Sequence, residues 1–316
     1  MNLKQPPLCA DLCRADGEEM HGTGGVGNVW VLLEYSKPWG KKIIAESDSS
    51  PEVKEYLGGL TKTIPGSKLL FIKQESAIRE YITLFVAVCR ETEPYIYELH
   101  LQSYDELLEL DINKIISGEA QHGGTTIDHP LFLVCTHGKY DRCCAKYGCG
   151  VYKKMKDYVG NRAWQSSHVG GHRFAANVVC LPHGIFYGRV SESEVEHIVD
   201  DYMQQRIRLD KFRGRACYAR PAQVAESFVR AQTGLTDVGA LDLLEANELA
   251  EEKSWRVRFG STRDGLIHEV QFLCVETECG RPFSCGAEEE KSLVQYQLTS
   301  YSVNAIAPQG SVIVSV

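Results

Sequence analysis

Chemistry concentrates in two stretches of the 316-residue chain: Cys135-Thr136-His137-Gly138-Lys139-Tyr140-Asp141-Arg142-Cys143-Cys144 and, further on, His168-Val169-Gly170-Gly171-His172. A buried cysteine taken alone is core material, and a lone loop histidine is a solvated or hydrogen-bonded side chain. The combination says more. Two cysteines from the first stretch and two histidines from the second make a four-ligand set. Two thiolates with two neutral imidazoles suit zinc or an iron–sulfur cluster. The Gly-Gly pair speaks against a helix through the histidines. It favours a loop whose backbone approaches a bound object closely.

Other groupings compete. Cys135-x-His137 with Cys180-x-x-His183 reproduces the ligand pairs of a Rieske-like centre, but a helix between the pairs does not suit a domain built of hairpins. Cys9-x3-Cys13 and the trio Cys274, Cys279 and Cys285 lack partner histidines at helpful spacing and read as ordinary thiols. No Cys-x-x-Cys stands at a strand-to-helix turn, and a disulfide within the vicinal Cys143-Cys144 pair is strained, so a thiol–disulfide oxidoreductase is disfavoured. Gly22-Thr23-Gly24-Gly25-Val26-Gly27 fits a dinucleotide fingerprint in letters only. It precedes a strand instead of following one, and reads as a mobile loop.

The elements that must position these residues follow from pattern. LFLVC (131–135) is a buried strand, and its end is where α/β sheets place functional loops. A helix at 151–159 follows, then strands RAWQSS, ANVVCL and IFYGRV, the last two forming a hairpin across Pro182-His183-Gly184. A helix over 191–205 closes the series with a Ser191/Glu194 capping box. The first half shows the same order. It has strand 29–36, a helix over 49–62 with Ser50 as N-cap and Pro51 in its first turn, strands KLLFIKQ, ITLFVAVC and YIYELHLQ, and a helix over 103–116. A Gly-rich linker at 118–130 separates the halves. A βαβ unit followed by a ββα unit is the order of a thioredoxin-like sheet.

The expectation is therefore an α/β chain: a thioredoxin-like mixed sheet flanked by helices, in two halves (1–128 and 129–214), with a small α+β appendage (215–316). Within the appendage 220–234 and 237–252 read as helices, followed by an antiparallel meander. The loop of the first half equivalent to the cysteine stretch reads Ser36-Lys37-Pro38-Trp39-Gly40. That half should lack ligands, pack against the second and offer a partner surface.

Composition sets outer bounds. Apolar residues at 43% suffice for real cores, which excludes disorder as the main state. A net charge of −8 argues against broad binding to nucleic acid or anionic membranes. No run of 18 apolar residues suggests a transmembrane helix. No apolar leader follows Met1, so the expected compartment is cytoplasmic. Twelve cysteines in such a setting point to metal ligation, redox chemistry or buried thiols.

CTHGKYDRCCAKYG (135–148), WQSSHVGGHRFAANVVCLP (164–182), GIFYGRV (184–190) and WVLLEYSKPWG (30–40) together resemble the sucrase/ferredoxin-like family of thioredoxin-like ferredoxins. The resemblance spans roughly 5–205. It implies a 2Fe-2S cluster bound by two cysteines and two histidines in a non-Rieske arrangement. Fungal members of that family carry Cys-x8-Cys followed by His-x3-His, which falls here on Cys135, Cys144, His168 and His172. Cys143 stands where the family has a basic residue and is the alternate for Cys144.

On this resemblance the chain is an electron carrier or redox sensor serving an unidentified redox partner protein. Imidazole ligands raise the potential, and the proton on the second ring nitrogen couples reduction to protonation, so the potential should fall as pH rises. Asp141, Arg173 and Asn177 are candidate supports around the ligands, and His137 and His183 can lie nearby without binding. No carboxylate pair is singled out for glycoside hydrolysis. A structural zinc site and a metal-free thioredoxin-like binding module remain the alternatives.

Overall fold

The structure is a computed structural model that describes residues 7–75, 80–250, 253–287 and 290–305. The first half contains helix α1 (Cys9–Ala15), strand β1 (Val29–Glu34), the single turn α2 (Ile43–Glu46), helix α3 (Pro51–Thr63) and strands β2 (Ser67–Lys73), β3 (Ile82–Val88) and β4 (Tyr95–Leu101). Helix α3 forms where the sequence predicts it. The Ser50 hydroxyl accepts from the Val53 N–H at 3.3 Å, and Val53, Leu57 and Leu60 make its buried stripe.

The helix expected over 103–116 is broken. A 3-10 turn covers Tyr104–Glu109, Leu110 is extended, and α4 (Ile112–Ile116) starts afresh. Asp111 causes the restart, because its Oδ1 accepts from the Asn113 N–H at 3.0 Å and caps a new helix. Glu106 accepts from the Gln102 N–H instead of completing a box with Ser103. The expected linker 118–130 contains β5 (Thr125–Ile127), which pairs antiparallel with β4.

The second half runs β6 (Leu131–Cys135), α5 (Arg142–Val159), β7 (Ala163–Ser166), β8 (Val178–Leu181), β9 (Ile185–Tyr187), α6 (Val195–Met203) and β10 (Phe212–Arg215). Helix α5 begins well before the expected 151, because Asp141 Oδ1 accepts from the Cys143 N–H at 2.9 Å and starts the helix there. The predicted Ser191/Glu194 capping box is present ahead of α6.

Among the described residues, ten strands form one mixed sheet in the order β10-β9-β8-β6-β7-β2-β1-β3-β4-β5. Each half repeats one scheme. β1 is parallel to β2 and antiparallel to β3, which is antiparallel to β4. Likewise β6 is parallel to β7 and antiparallel to β8, which is antiparallel to β9. The halves join where β2 and β7 run antiparallel through Ile72↔Ser166 and Lys73↔Gln165.

Helices α5 and α6 cover Phe132, Val134, Val178 and Cys180, and α3 covers Val31, Leu33 and Val86. The reverse faces of both halves share a third cluster, with Trp30 against Phe186 at 5.6 Å and Phe85 against Trp164 at 5.5 Å between ring centroids. The glycine segment 22–27, expected to be mobile, is pinned to β10. The Thr23 and Gly24 N–H groups both donate to the Arg213 carbonyl, and that of Gly27 to the Ala216 carbonyl.

The C-terminal part packs helix α7 (Arg220–Thr233) on a separate antiparallel sheet of β11 (Leu241–Glu248), β12 (Ser254–Ser261), β13 (Leu266–Pro282) and β14 (Glu290–Ala305). The meander is as expected, but the helix predicted over 237–252 is not. Its middle is β11, and residues 251 and 252 lie outside the described residues. Pairing with β12 carries Leu241, Leu243 and Ala246 into the cluster around Val257 and Phe259. That burial outweighs the local helix preference of LDLLEANE. No helix among the described residues is long and apolar enough to cross a membrane.

Candidate metal centre

Cys135 is the last residue of β6 and is 1% exposed. The cap by Asp141 fixes where α5 begins, and so which way its first residues face. Successive helical residues point about 100° apart, so Cys143 and Cys144 look in different directions. One turn after Cys144 stands Gly148, where an added Cβ would collide with the Cys135 carbonyl oxygen. The missing side chain lets α5 lie against the end of β6 and brings Cys144 to Cys135. His168 follows β7, where Ser167 donates its N–H to the Phe71 carbonyl at 2.7 Å and accepts the Phe71 N–H on its hydroxyl at 3.0 Å.

Three donors meet here. His168 Nδ1 lies 3.5 Å from Cys144 Sγ and 3.9 Å from Cys135 Sγ, and all three atoms are within 4.8 Å of one another. His172 stands beside them, its ring centroid 5.2 Å from that of His168. His172 Nε2 is 2.7 Å from the Phe283 carbonyl oxygen. A carbonyl only accepts, so Nε2 carries the hydrogen. In the neutral ring Nδ1 then holds a free lone pair, and that atom is buried without a partner. Tyr140 stacks on His168 at 3.9 Å between centroids.

The loop between the histidines is held from below. Gly170 and Gly171 have φ of 93° and 69°. A Cβ on Gly171 would strike the Arg213 guanidinium. Arg213 is 1% exposed. It donates to Asn177 Oδ1 at 2.7 Å, to the Thr23 carbonyl at 2.6 Å and to the Gly170 carbonyl at 3.3 Å. Asn177 Nδ2 in turn donates to the Gly171 carbonyl at 2.9 Å. Arg173 pairs with Glu18 at 2.7 Å and lies over the Phe283 ring. Arg213 carries no signal in the sequence beyond its place in the basic stretch 206–215.

The electrostatics favour one thiolate at the centre. The hydrogen bond from Cys144 outweighs burial and, with help from His168, holds the Cys135 thiol well below its ordinary range. Cys144, as the donor, is pushed up. Burial outweighs the nearby Asp141 carboxylate and lowers His172, which keeps its ring neutral.

The remaining sequence candidates go elsewhere. His137 Nε2 donates to the Gly40 carbonyl at 2.8 Å, against Trp39 of the first half. His183 Nδ1 is hydrogen-bonded to the Tyr202 hydroxyl at 2.7 Å. The Rieske-like grouping fails because Cys180 lies in the cluster under α5 and α6, whereas Cys135 lies in the cluster on the reverse face of the sheet. Cys143 faces Cys9 and Cys285 instead of His168. Those two cysteines read as ordinary thiols in the sequence, and no spacing rule relates residues 276 positions apart.

The sucrase/ferredoxin-like family model matches residues 20–214, which include all of these donors except Cys9 and Cys285. The chain belongs to the sucrase/ferredoxin-like family. Two curated relatives, both named altered inheritance of mitochondria protein 32, are similar to it. The one from Meyerozyma guilliermondii is 29% identical over 135 residues, covering 39% of this chain and 46% of the relative. The one from Debaryomyces hansenii is 34% identical over 85 residues, covering 24% and 31%. The matched region therefore spans less than half the length of either relative. No solved structure matches the chain.

Within this sucrase/ferredoxin-like chain the donors fit a thiophilic metal group. Two sulfurs and an imidazole nitrogen already converge, and a second imidazole next to them has a buried lone pair with nothing to receive. A lone pair desolvated in that way is costly unless a cation or a proton donor meets it.

Proposed function

We propose that the chain is a 2Fe-2S protein of thioredoxin-like ferredoxin type, built of a first half at 1–128, a ligand-bearing half at 129–214 and an appendage at 215–316. The observation that carries this reading is the convergence of Cys135, Cys144 and His168 beside a neutral His172 with a free, buried Nδ1. Membership of a family described as ferredoxin-like supports it. Cys135, Cys144, His168 and His172 would hold the cluster, which supplies one-electron transfer at a potential raised by its imidazole ligands.

The rest is done by the chain's own groups. Asp141 and Gly148 set the position of Cys144 against Cys135. Arg213 and Asn177 hold the backbone between the histidines. His172 keeps a proton on Nε2 against the Phe283 carbonyl, and this is the proton whose loss we couple to oxidation. Tyr140, 44% exposed and stacked on His168, is the aromatic surface offered to a redox partner protein.

The spacing of the three converged donors also favours a second reading, structural zinc. A tetrahedral ion with ordinary Zn–S and Zn–N bonds separates sulfur from nitrogen by about 3.5 Å, close to the 3.5 and 3.9 Å seen here. Anaerobic purification followed by iron, sulfide and zinc assays separates the two. Red-brown protein with equal iron and sulfide supports the cluster. Colourless protein that loses zinc in Cys135→Ala supports the ion. His172→Cys should keep a cluster but shift its visible spectrum, and a midpoint potential independent of pH would remove the proton coupling.

A further inference from the structure

Three cysteines from remote segments meet on the other side of the α5 N-terminus. Cys9 belongs to α1, Cys143 to α5 and Cys285 to the connection between β13 and β14. Their sulfurs form a triangle with edges of 3.5 Å (Cys9–Cys143), 3.3 Å (Cys143–Cys285) and 3.7 Å (Cys9–Cys285). Asp141 Oδ1 and Oδ2 lie 3.8 and 3.9 Å from Cys9 Sγ. The four donor groups all fall within 4.8 Å of one another.

A disulfide needs sulfurs about 2.05 Å apart and joins two of them, not three. Four donors around one ion are a different matter. With metal–sulfur bonds of about 2.3 Å, a tetrahedral site spaces its sulfurs about 3.8 Å apart. Two backbone N–H groups already point at the sulfurs, from Ala10 to Cys143 and from Cys9 to Cys285, each at 3.5 Å. Such bonds stabilise thiolate charge.

The Asp141 carboxylate is 1% exposed. Its oxygens accept from the N–H groups of Cys143 and Cys285 at 2.9 Å each and from the Ser284 hydroxyl at 3.2 Å. Oδ2 takes both the Cys285 N–H and the Ser284 hydroxyl, whereas Oδ1 takes only the Cys143 N–H among these and keeps a second lone pair. Cys9, Cys143 and Asp141 are buried and Cys285 is half-buried at the edge of the group.

We propose that Cys9, Cys143, Cys285 and Asp141 form a second metal site that takes one zinc ion, separate from the Cys135, Cys144 and His168 group. Soft thiolates select zinc over calcium or magnesium, and zinc adds no redox chemistry. The ion ties α1, α5 and the β13–β14 connection together. It also fixes Phe283, two residues before Cys285, whose carbonyl accepts the His172 Nε2 proton. The site makes no use of the donors assigned to the cluster, so it stands whichever metal they hold.

The test uses the full chain purified anaerobically, with zinc and iron counted by mass spectrometry, the visible spectrum recorded, and zinc-edge X-ray absorption measured. One zinc per chain with three sulfur neighbours and one oxygen is expected. Cys9→Ser and Cys285→Ser should each lose one zinc equivalent, and Cys135→Ala should leave that equivalent in place. Cys285→His, which can still ligate, should keep it with two sulfur neighbours, so the test survives a Cys285→Ser chain that fails to fold. Unchanged zinc in Cys9→Ser and Cys285→Ser overturns the site, as does a Cys143–Cys285 disulfide in metal-free native protein. Iron absent from the chain while Cys285→Ser still loses zinc would sink the cluster reading and leave this site standing.

Discussion

Gly170 and Gly171 sit side by side, yet replacing each by alanine should cost the fold very different amounts. Both have positive φ, 93° and 69°, and an L side chain in that region costs about 1–2 kcal/mol. At Gly170 an added Cβ meets nothing within 4 Å, so the cost stops there. At Gly171 the Cβ lands on the Arg213 guanidinium. Arg213 cannot swing away without abandoning Asn177 Oδ1 at 2.7 Å and the Thr23 carbonyl at 2.6 Å, and overpacking of this kind adds about 1–3 kcal/mol. Gly171→Ala should therefore lose about 2–5 kcal/mol, roughly 1–3 more than Gly170→Ala. Denaturant midpoints of the metal-depleted proteins, compared at a common slope, read the difference without a contribution from metal release. Metal content is then measured on the loaded proteins, where Gly171→Ala should release more because His172 follows directly. Equal losses from the two variants would refute the bracing role given to Arg213.

Two further perturbations probe the same framework. Gly148→Ala gains about 1 kcal/mol of helix propensity but drives a Cβ into the Cys135 carbonyl at about 1–3 kcal/mol. Net destabilisation with lowered metal content is expected, and a stabilised variant with full metal would show that α5 does not need this close approach. Arg213→Met leaves Asn177 Oδ1 and the Thr23 carbonyl without their donor, a loss of about 3 kcal/mol readable in the same denaturation assay; a change under about 1 kcal/mol would contradict the bracing.

Burial, with the positive charge of Arg215 second, holds His183 down to about 4, whereas in the unfolded chain it protonates near 6.5. Between those values the unfolded state binds the extra proton, so stability falls as pH drops through the window, by about 3 kcal/mol in full. His183→Gln should flatten that decline, and parallel stability–pH curves for the two proteins would refute it.

Much of the second half is legible because its signals are local. The strand ending at Cys135, the hairpin across Pro182-His183-Gly184 and the Ser191/Glu194 cap each sit where pattern puts them. Helix α5 reads short because Gly148 and Gly150 weaken local preference, while the Asp141 cap and packing on β6 carry it back to Arg142. The stretch 237–252 misleads in the opposite direction, since only the partner strand β12 reveals which way Leu241 and Leu243 must face. Residue type and spacing offer a set of two cysteines and two histidines from these stretches, and the family resemblance is what assigns Cys135 and His168 to it. Whether Cys143 or Cys144 joins them depends on the rotation of α5, which a capping aspartate sets. The meeting of Cys9 with Cys285 leaves no trace in spacing at all, and a fully buried Arg213 is indistinguishable in letters from a solvated one.

The span of the sulfur triangle has a consequence for how the protein matures. A nascent chain leaves the ribosome N-terminus first, so Cys9 appears early, Cys143 midway and Cys285 only after the whole of β13. The Phe283 carbonyl that sets the His172 tautomer emerges just ahead of Cys285. A truncated or stalled translation product can thus display Cys135, Cys144 and both histidines while α1 is still unlatched and His172 lacks its acceptor. Under the cluster reading proposed above, cofactor insertion would follow the folding of Phe283 and Cys285 back onto α1.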